Sequence, residues 1–427
     1  MNVAFTIVAK NYLAFAITLA QSLKKSDPDL EFHILLVDQP NGLEQKYFDE
    51  YSIMLAQDLD IPGFKEMAFK YNVTEFSTAL KPFVIDFLFQ KNTVDKLIYL
   101  DPDIYVYSSL TVIYDLLNEH QVLITPHFLS METVYSGVNP ETEYLFSGIY
   151  NLGFIALKKS IKSLAFIDWW KNRLEKFCYG DRQESLHVDQ KWIDFLPAFL
   201  TPDELLILRH TGLNIAYWNI HERVFIENDN KLMVKLSNIS KEEELVFFHF
   251  SGLNPLNIYH NKQCPKIDIK NYPIWEKYII QYSELVTSNN YQLFISLGYS
   301  YNQFENGENI LPLYRRMFRK ILEIDPDNLN RNPFAITSDY YKLLKENNLL
   351  VVNGSVDSKI TQDNLDSSTT KLKYFNFILK FLMKLVGLKN YITILRFSQK
   401  YFRPENQIFL IKKYRKQTES NYFSAND

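Results

Sequence analysis

At 427 residues, 47% of them apolar and 15% aromatic, the chain can bury a large core and form two domains, which excludes a disordered protein. A formal net charge of −4 argues against nucleic acid as a partner, and only 12 glycines leave little for a glycine-rich nucleotide loop. Cys178 and Cys264 stand far apart, in neither metal nor redox spacing, and read as reduced thiols in a reducing compartment.

The first apolar run, Val3 to Ala9, has no basic segment before it and is cut at Lys10. That pattern is expected of a first strand, not of a signal peptide or a membrane span, and a cytoplasmic protein is expected. A helix is predicted from about Asn11, its capping region, to Asp27-Pro28. Phe32 to Asp38 reads as a second strand closed by Pro40-Asn41-Gly42. Strand, short crossover, strand is how a parallel α/β sheet begins. Residues 43–80 read as mixed and mostly helical, and Lys81 to Phe89 as a helix with Pro82 in its first turn. Further strands are predicted at Leu97–Leu100, Val122–Thr125, Tyr150–Leu157 and Leu245–Phe250, with helices at 108–118 and 164–177 and a helical piece from His187.

The predicted organisation is an α/β domain over 1–260, a helical accessory region over 261–350 and a polar linker over 351–370. Helices are expected there at 273–286, 312–323 and 338–346. A basic amphipathic tail over 371–427 follows. Residues 371–416 hold twelve Lys or Arg against one acid, Glu405. Such a segment suits peripheral contact with an anionic bilayer at the inner face of the membrane, or a helical hairpin packed on the main domains with its charges solvated.

Chemistry concentrates where the apolar run Leu97–Leu100 stops on Asp101-Pro102-Asp103. In extended backbone, residues two apart face the same side, so both carboxylates would point beyond the carboxyl end of a strand, where open α/β sheets bind ligands. Hard oxygen ligands there suit Mg²⁺ or Mn²⁺ holding a diphosphate; the simpler alternative is a turn in which Asp101 caps a helix. His249, at the end of Phe247-Phe-His249, is the candidate third ligand, against the commoner case of a satisfied core histidine. Asp189 and Gln190 open a helical piece, where an acid also suits the helix dipole. Asn151 offers both a donor and an acceptor to a polyol, and Gly153 permits close backbone approach or marks a bulge. His127, after Thr125-Pro126, is a candidate for the acceptor side, although a surface-loop histidine is the simpler reading.

Taken in order, these motifs resemble the GT-A glycosyltransferases, and among them the retaining, metal-dependent glycosyltransferase family 8 and its bacterial relatives. Phe5-Thr-Ile-Val-Ala-Lys-Asn-Tyr12 resembles the strand and turn that hold the nucleoside, which implies Thr6, Ala9, Asn11 and Tyr12 as donor contacts. Lys81 stands where the family has a basic residue on the helix before the metal motif. Tyr99-Leu-Asp-Pro-Asp-Ile-Tyr-Val106 is similar to that DXD motif, Asn151-Leu-Gly153 to the Asn-x-Gly strand, and Asp189-Gln190 to the Asp-Gln pair. His249-Phe-Ser-Gly252 resembles the His-x-x-Gly motif, which implies Gly252 as a donor contact and His249 as a metal ligand. Leu253-Asn-Pro-Leu256 replaces the Lys-Pro-Trp that usually follows, which leaves Lys81 and Lys262 as candidates for a cation on the diphosphate.

The resemblance spans about residues 1–260 and implies a Rossmann-like, mostly parallel sheet flanked by helices. It also implies a nucleotide-diphosphate sugar donor, most often a UDP-sugar, with Mn²⁺ or Mg²⁺ held by Asp101, Asp103 and His249. The implied acceptor is a glycan, glycolipid or glycoprotein, as in polysaccharide biosynthesis. Gln190 is then expected beside the anomeric carbon, with Asp189 and Asn151 on the sugar. Two alternatives stay open: an inverting GT-A enzyme with Asp189 as base, and a catalytically silent nucleotide- or glycan-binding module. The sugar, the acceptor and the oligomeric state are not encoded in these motifs.

Overall fold

The computed structural model describes residues 1–91, 93–228, 231–329, 332–351 and 369–415. They form two compact units: Met1–Phe64 with Val73–Ser300, and Lys65–Asn72 with the residues from Tyr301 onward.

The first unit is built on β1 (Asn2–Val8), α1 (Leu13–Ser26), β2 (Glu31–Leu36), β3 (Ile53–Leu55) and α2 (Lys81–Gln90). Then come β4 (Lys96–Leu100), β5 (Ile104–Val106), β6 (Val122–Pro126), β7 (Tyr150–Lys158), α3 (Ile161–Phe177) and β8 (Leu205–Ile207). Seven of these strands make one sheet in the order β8-β6-β7-β4-β1-β2-β3. Only β7 runs antiparallel to its neighbours, so the sheet is mostly parallel, as expected. All five residues of β4 are buried, which explains why it reads as an uninterrupted apolar run. α1 ends where Pro28 can no longer supply an N–H, with Asp27 N closing on Leu23 O at 2.7 Å. α3 opens on a reciprocal cap between Ser160 and Ser163.

A smaller sheet completes the site. β9 (Ile215–Ala216) leads to β10 (Arg223–Asn228), β11 (Lys231–Leu236) and β12 (Glu243–Glu244), which form an antiparallel ribbon. β13 (Phe247–His249) lies between β9 and β5. The strand-length apolar pattern did not separate these short pieces, nor β3 within the stretch expected to be mostly helical.

α4 (Pro273–Ser288) was expected in a separate accessory region, but it belongs to the first unit. Its Trp275, Ile279, Tyr282 and Val286 are buried in the same core as Phe248 and Phe250, and Tyr282 stacks on Phe250 at 3.9 Å. Charged residues interleaved in the sequence concealed that one face of the helix is buried.

The second unit packs α5 (Pro312–Ile324) and α6 (Asp339–Glu346) around Phe69, whose ring meets Phe304, Phe318, Phe334 and Tyr340. Arg315 is buried there and donates to the carbonyls of Ala68, Phe69, Tyr71 and Tyr301 and to the Asn302 side-chain oxygen, so its charge is spread over several acceptors. α7 (Thr369–Tyr401) is interrupted at Gly387, whose φ of +76° only glycine adopts readily. The expected linker falls, over residues 352–368, outside the described residues.

Candidate active site

Asp101, Asp103 and His249 converge at the carboxyl end of β4, with one ligand atom of each within 4.8 Å of the others. His249 Nε2 lies 3.1 Å from Asp103 and 3.6 Å from Asp101. The carboxylates meet through a turn, not through the extended backbone expected: Ile104 N donates to Asp101 O at 3.1 Å, with Pro102 at the first corner. β13 brings in the third group. His249 pairs with Ile104 across the antiparallel register, and Phe250 N donates to Asp103 O.

Burial disfavours a charge on the His249 ring, but Asp103 and Asp101 outweigh it and raise the pKa above the ordinary histidine value. Nδ1 has no hydrogen-bond partner among the described residues. Two hard carboxylates and an imidazole, one face open, fit a divalent cation of the Mn²⁺ or Mg²⁺ kind. Gly153 makes this geometry possible: its backbone O accepts from Asp101 N at 2.7 Å, and a Cβ in its place would strike the His249 ring. Ring clearance is its local role, and it lies in the stretch of β7 between Tyr150 and Ile155 where the register against β6 shifts, as a bulge would.

Lys81, from the first turn of α2, ties the cluster to Asp189. Its ammonium lies 2.7 Å from Asp189, 3.8 Å from Asp101 and 4.3 Å from the centre of the Tyr99 ring, and donates to Leu152 O at 2.8 Å. Tyr99 in turn donates to Asp101 at 2.5 Å. Burial raises the Asp189 pKa, with Lys81 pulling the other way. The residue before it, Val188, sits at φ +41°, a left-handed conformation that a β-branched side chain rarely adopts.

Gln190 is buried and its amide is occupied by backbone: it donates to Ser147 O at 2.9 Å and accepts from Leu152 N at 3.0 Å. Asn151 accepts from Gly153 N at 3.0 Å and from Asn214 at 3.0 Å. His127 is no surface residue. It is 5% exposed at the end of β6, and burial pushes its pKa down to about 4. Its Nδ1 faces Ile149 O at 3.3 Å, so the proton belongs there and Nε2 is left to accept from Asn151 at 3.4 Å. Trp218 stands edge-on to both His127 and His249. Asn214 and Trp218 were missed. Their signal in the sequence was a run of Leu-Asn-Ile-Ala-Tyr-Trp-Asn219 with polar tips inside an apolar stretch.

At the carboxyl end of β1, Thr6 Oγ1 is buried without a partner among the described residues, and Ala9 precedes a single turn over Lys10–Tyr12. Asn11 lies inside that turn and makes no side-chain cap. Tyr12 stacks on Phe15 at 4.7 Å and is partly exposed; partial burial, then the charges of Asp103 and Asp101 among others, raise its phenol pKa. Lys10, which no motif singled out, is buried with its ammonium on Asn41 at 2.7 Å and Ser300 at 3.0 Å, and 3.9 Å from Asp38. Gly252 has φ +73° and turns the chain so that Lys262 N reaches its carbonyl at 3.0 Å; the Lys262 side chain is exposed. Both cysteines are buried, and neither forms a disulfide among the described residues.

Residues 2–148, about the first third of the chain, match the family model of glycosyl transferase family 8. Over these residues the chain resembles this family. Among curated proteins it is 23% identical over 261 residues to the uncharacterized protein YfnF of Bacillus subtilis (strain 168), across 60% of this chain and 84% of that one. Among solved structures it is similar to the galactosyltransferase LgtC in complex with donor and acceptor sugar analogs. That match has 15% identity, 67% of this chain, 96% of the other and a TM-score of 0.41. It is also similar to the apo-form glycosyltransferase GlyE of Streptococcus pneumoniae TIGR4, with 16% identity, 71% and 66% coverage and a TM-score of 0.36.

Proposed function

We propose that the chain transfers a sugar from a UDP-sugar to a hydroxyl of a glycan, lipid-linked or protein acceptor, with retention and with Mn²⁺ or Mg²⁺ as cofactor. The observation that carries this reading is the convergence of Asp101, Asp103 and His249 at the end of β4. Bound there, the cation would act as a Lewis acid on the departing diphosphate.

The chain's own groups have separate tasks. Tyr12, beside the carboxylates, offers its ring to the nucleoside, with Thr6, Ala9 and Asn11 on the same strand and turn. Lys81 holds Asp189 and Asp101 in register by charge. Because it is so engaged, the exposed Lys262 beside Gly252 is the better candidate for a cation on the diphosphate. Asn151 and Asp189 orient the donor sugar. Gln190, fixed between Ser147 O and Leu152 N, would hold the backbone beside the anomeric carbon, and an amide is too poor a nucleophile to favour a covalent intermediate. Asp189 is buried and paired, which argues against the base that an inverting reaction needs and supports retention.

Hydrolysis and transfer from a panel of UDP-sugars with Mn²⁺, comparing wild type with Asp103→Ala, tests this. Metal-dependent turnover that Asp103→Ala loses is the expected result, and the product anomer read by NMR reports stereochemistry. Tight metal-dependent UDP binding with no turnover on any acceptor would replace the transferase by a binding module.

A further inference from the structure

We propose that α7 is a peripheral docking element that lies along an anionic lipid bilayer. Tyr374, Phe377, Ile378, Phe381 and Leu385 recur at i, i+3, i+4, i+7 and i+11, the spacing of one helix face. They are 70, 69, 58, 61 and 72% exposed. Leu388 and Ile392 continue the exposed run beyond Gly387. Aromatic and branched side chains left in water at this density mark a surface that meets an apolar phase or partner.

Charge identifies which. Residues 369–404 contain eight Lys or Arg and no acid. The next residue, Glu405, is buried and already within 3.4 Å of Arg319, 3.7 Å of Arg316 and 3.6 Å of Arg403. At about 100° per residue, Lys373, Lys380 and Lys384 fall together along the edge of the apolar stripe, beside Phe377. Two copies of this helix packed face to face would bring like charges together, which opposes self-association. An anionic bilayer meets both needs: the stripe enters the acyl boundary while the lysines reach the headgroups.

The geometry is that of a helix in the plane of the membrane. Among the described residues no helix is long and apolar enough to cross one, and Gly387 splits α7 into two segments that can follow the surface. This contact does not depend on sugar transfer.

The test is cosedimentation of the full chain, without donor, with phosphatidylglycerol-containing or pure phosphatidylcholine vesicles. Sedimentation velocity without lipid is run alongside. Expected is binding to the anionic vesicles that is at least about ten-fold stronger than to the neutral ones and weakens with salt. Phe377→Ser with Phe381→Ser, and separately Lys373→Glu with Lys380→Glu, should each lower it about ten-fold with the melting temperature unchanged, since these side chains are exposed. Equal sedimentation of wild type and both variants overturns the proposal. So does a wild-type dimer that the Phe377→Ser, Phe381→Ser variant dissociates, which would assign the stripe to a second copy.

Discussion

Gly153 and His249 occupy one another's space: a Cβ built on Gly153 lies 2.5 Å from His249 Nδ1 and closer still to Cε1. No rotamer change at Gly153 relieves this, because the clash is with Cβ itself. Gly153→Ala should therefore displace the imidazole from Asp103 and lower Mn²⁺ affinity by at least about ten-fold, with far-UV circular dichroism unchanged. Isothermal titration with Mn²⁺ checks it. Wild-type affinity in the variant would mean that His249 is not a ligand.

Much of this site was legible because its residues end apolar runs. Asp101 follows the four buried apolar residues Leu97–Leu100, and His249 follows Phe247-Phe248, so the polar groups stood out against their strands. Less legible was anything set by tertiary contact. The Pro102 turn brings the carboxylates together by a route that alternation did not foresee. Lys10 and Asn214 act through partners far away in sequence, Asn41 and Ser300 for one, Thr125 and Asn151 for the other. The extent of the first unit was misread because charged residues are interleaved with the apolar ones of α4, and only tertiary contact shows that Trp275 and Tyr282 enter the first core.

Lys81 and Asp189 are 2% exposed each, so removing one leaves the other charged and buried without its partner. Lys81→Met should cost about 3–5 kcal/mol by denaturant unfolding. Lys81→Met with Asp189→Leu should recover most of that stability but not transfer activity. If the double variant is no more stable than Lys81→Met, the pair is not coupled as its distance implies.

Strain at Val188 predicts the opposite sign. Asparagine tolerates the left-handed region that valine resists, so Val188→Asn should raise stability by about 1 kcal/mol. The same change relaxes the backbone that presents Asp189, so transfer should not improve with it. A loss of stability on chemical denaturation would show that Val188 is held without strain.

His127 gives a pH dependence whose sign is fixed by its burial. Its folded pKa of about 4 lies below the ordinary value of 6.5, so the unfolded chain binds the proton first as pH falls. The native state is then at full stability above about pH 6.5 and loses stability progressively toward pH 4. Between pH 7 and 5 the loss from this residue is about 2 kcal/mol. His127→Gln cannot take up that proton, so its unfolding free energy should fall less than that of wild type over the same interval. Parallel pH curves for the two proteins would show that His127 titrates normally in the folded state.

Lys262 separates binding from architecture. It is exposed beside the Gly252 turn, whereas Lys81 is buried and paired, so the two lysines should fail in different ways. Lys262→Ala removes one charge from the mouth of the proposed diphosphate site without leaving an orphaned partner. Unfolding free energy should stay within about 0.5 kcal/mol of wild type. The KM for the UDP-sugar should rise about five- to ten-fold, as expected for one lost charge-assisted contact that is partly screened by water. Raising the salt concentration should narrow the gap between the two proteins, because screening weakens the same attraction in wild type. An unchanged KM would remove Lys262 from the donor site and return the task of meeting the diphosphate charge to the carboxylate-bound cation alone.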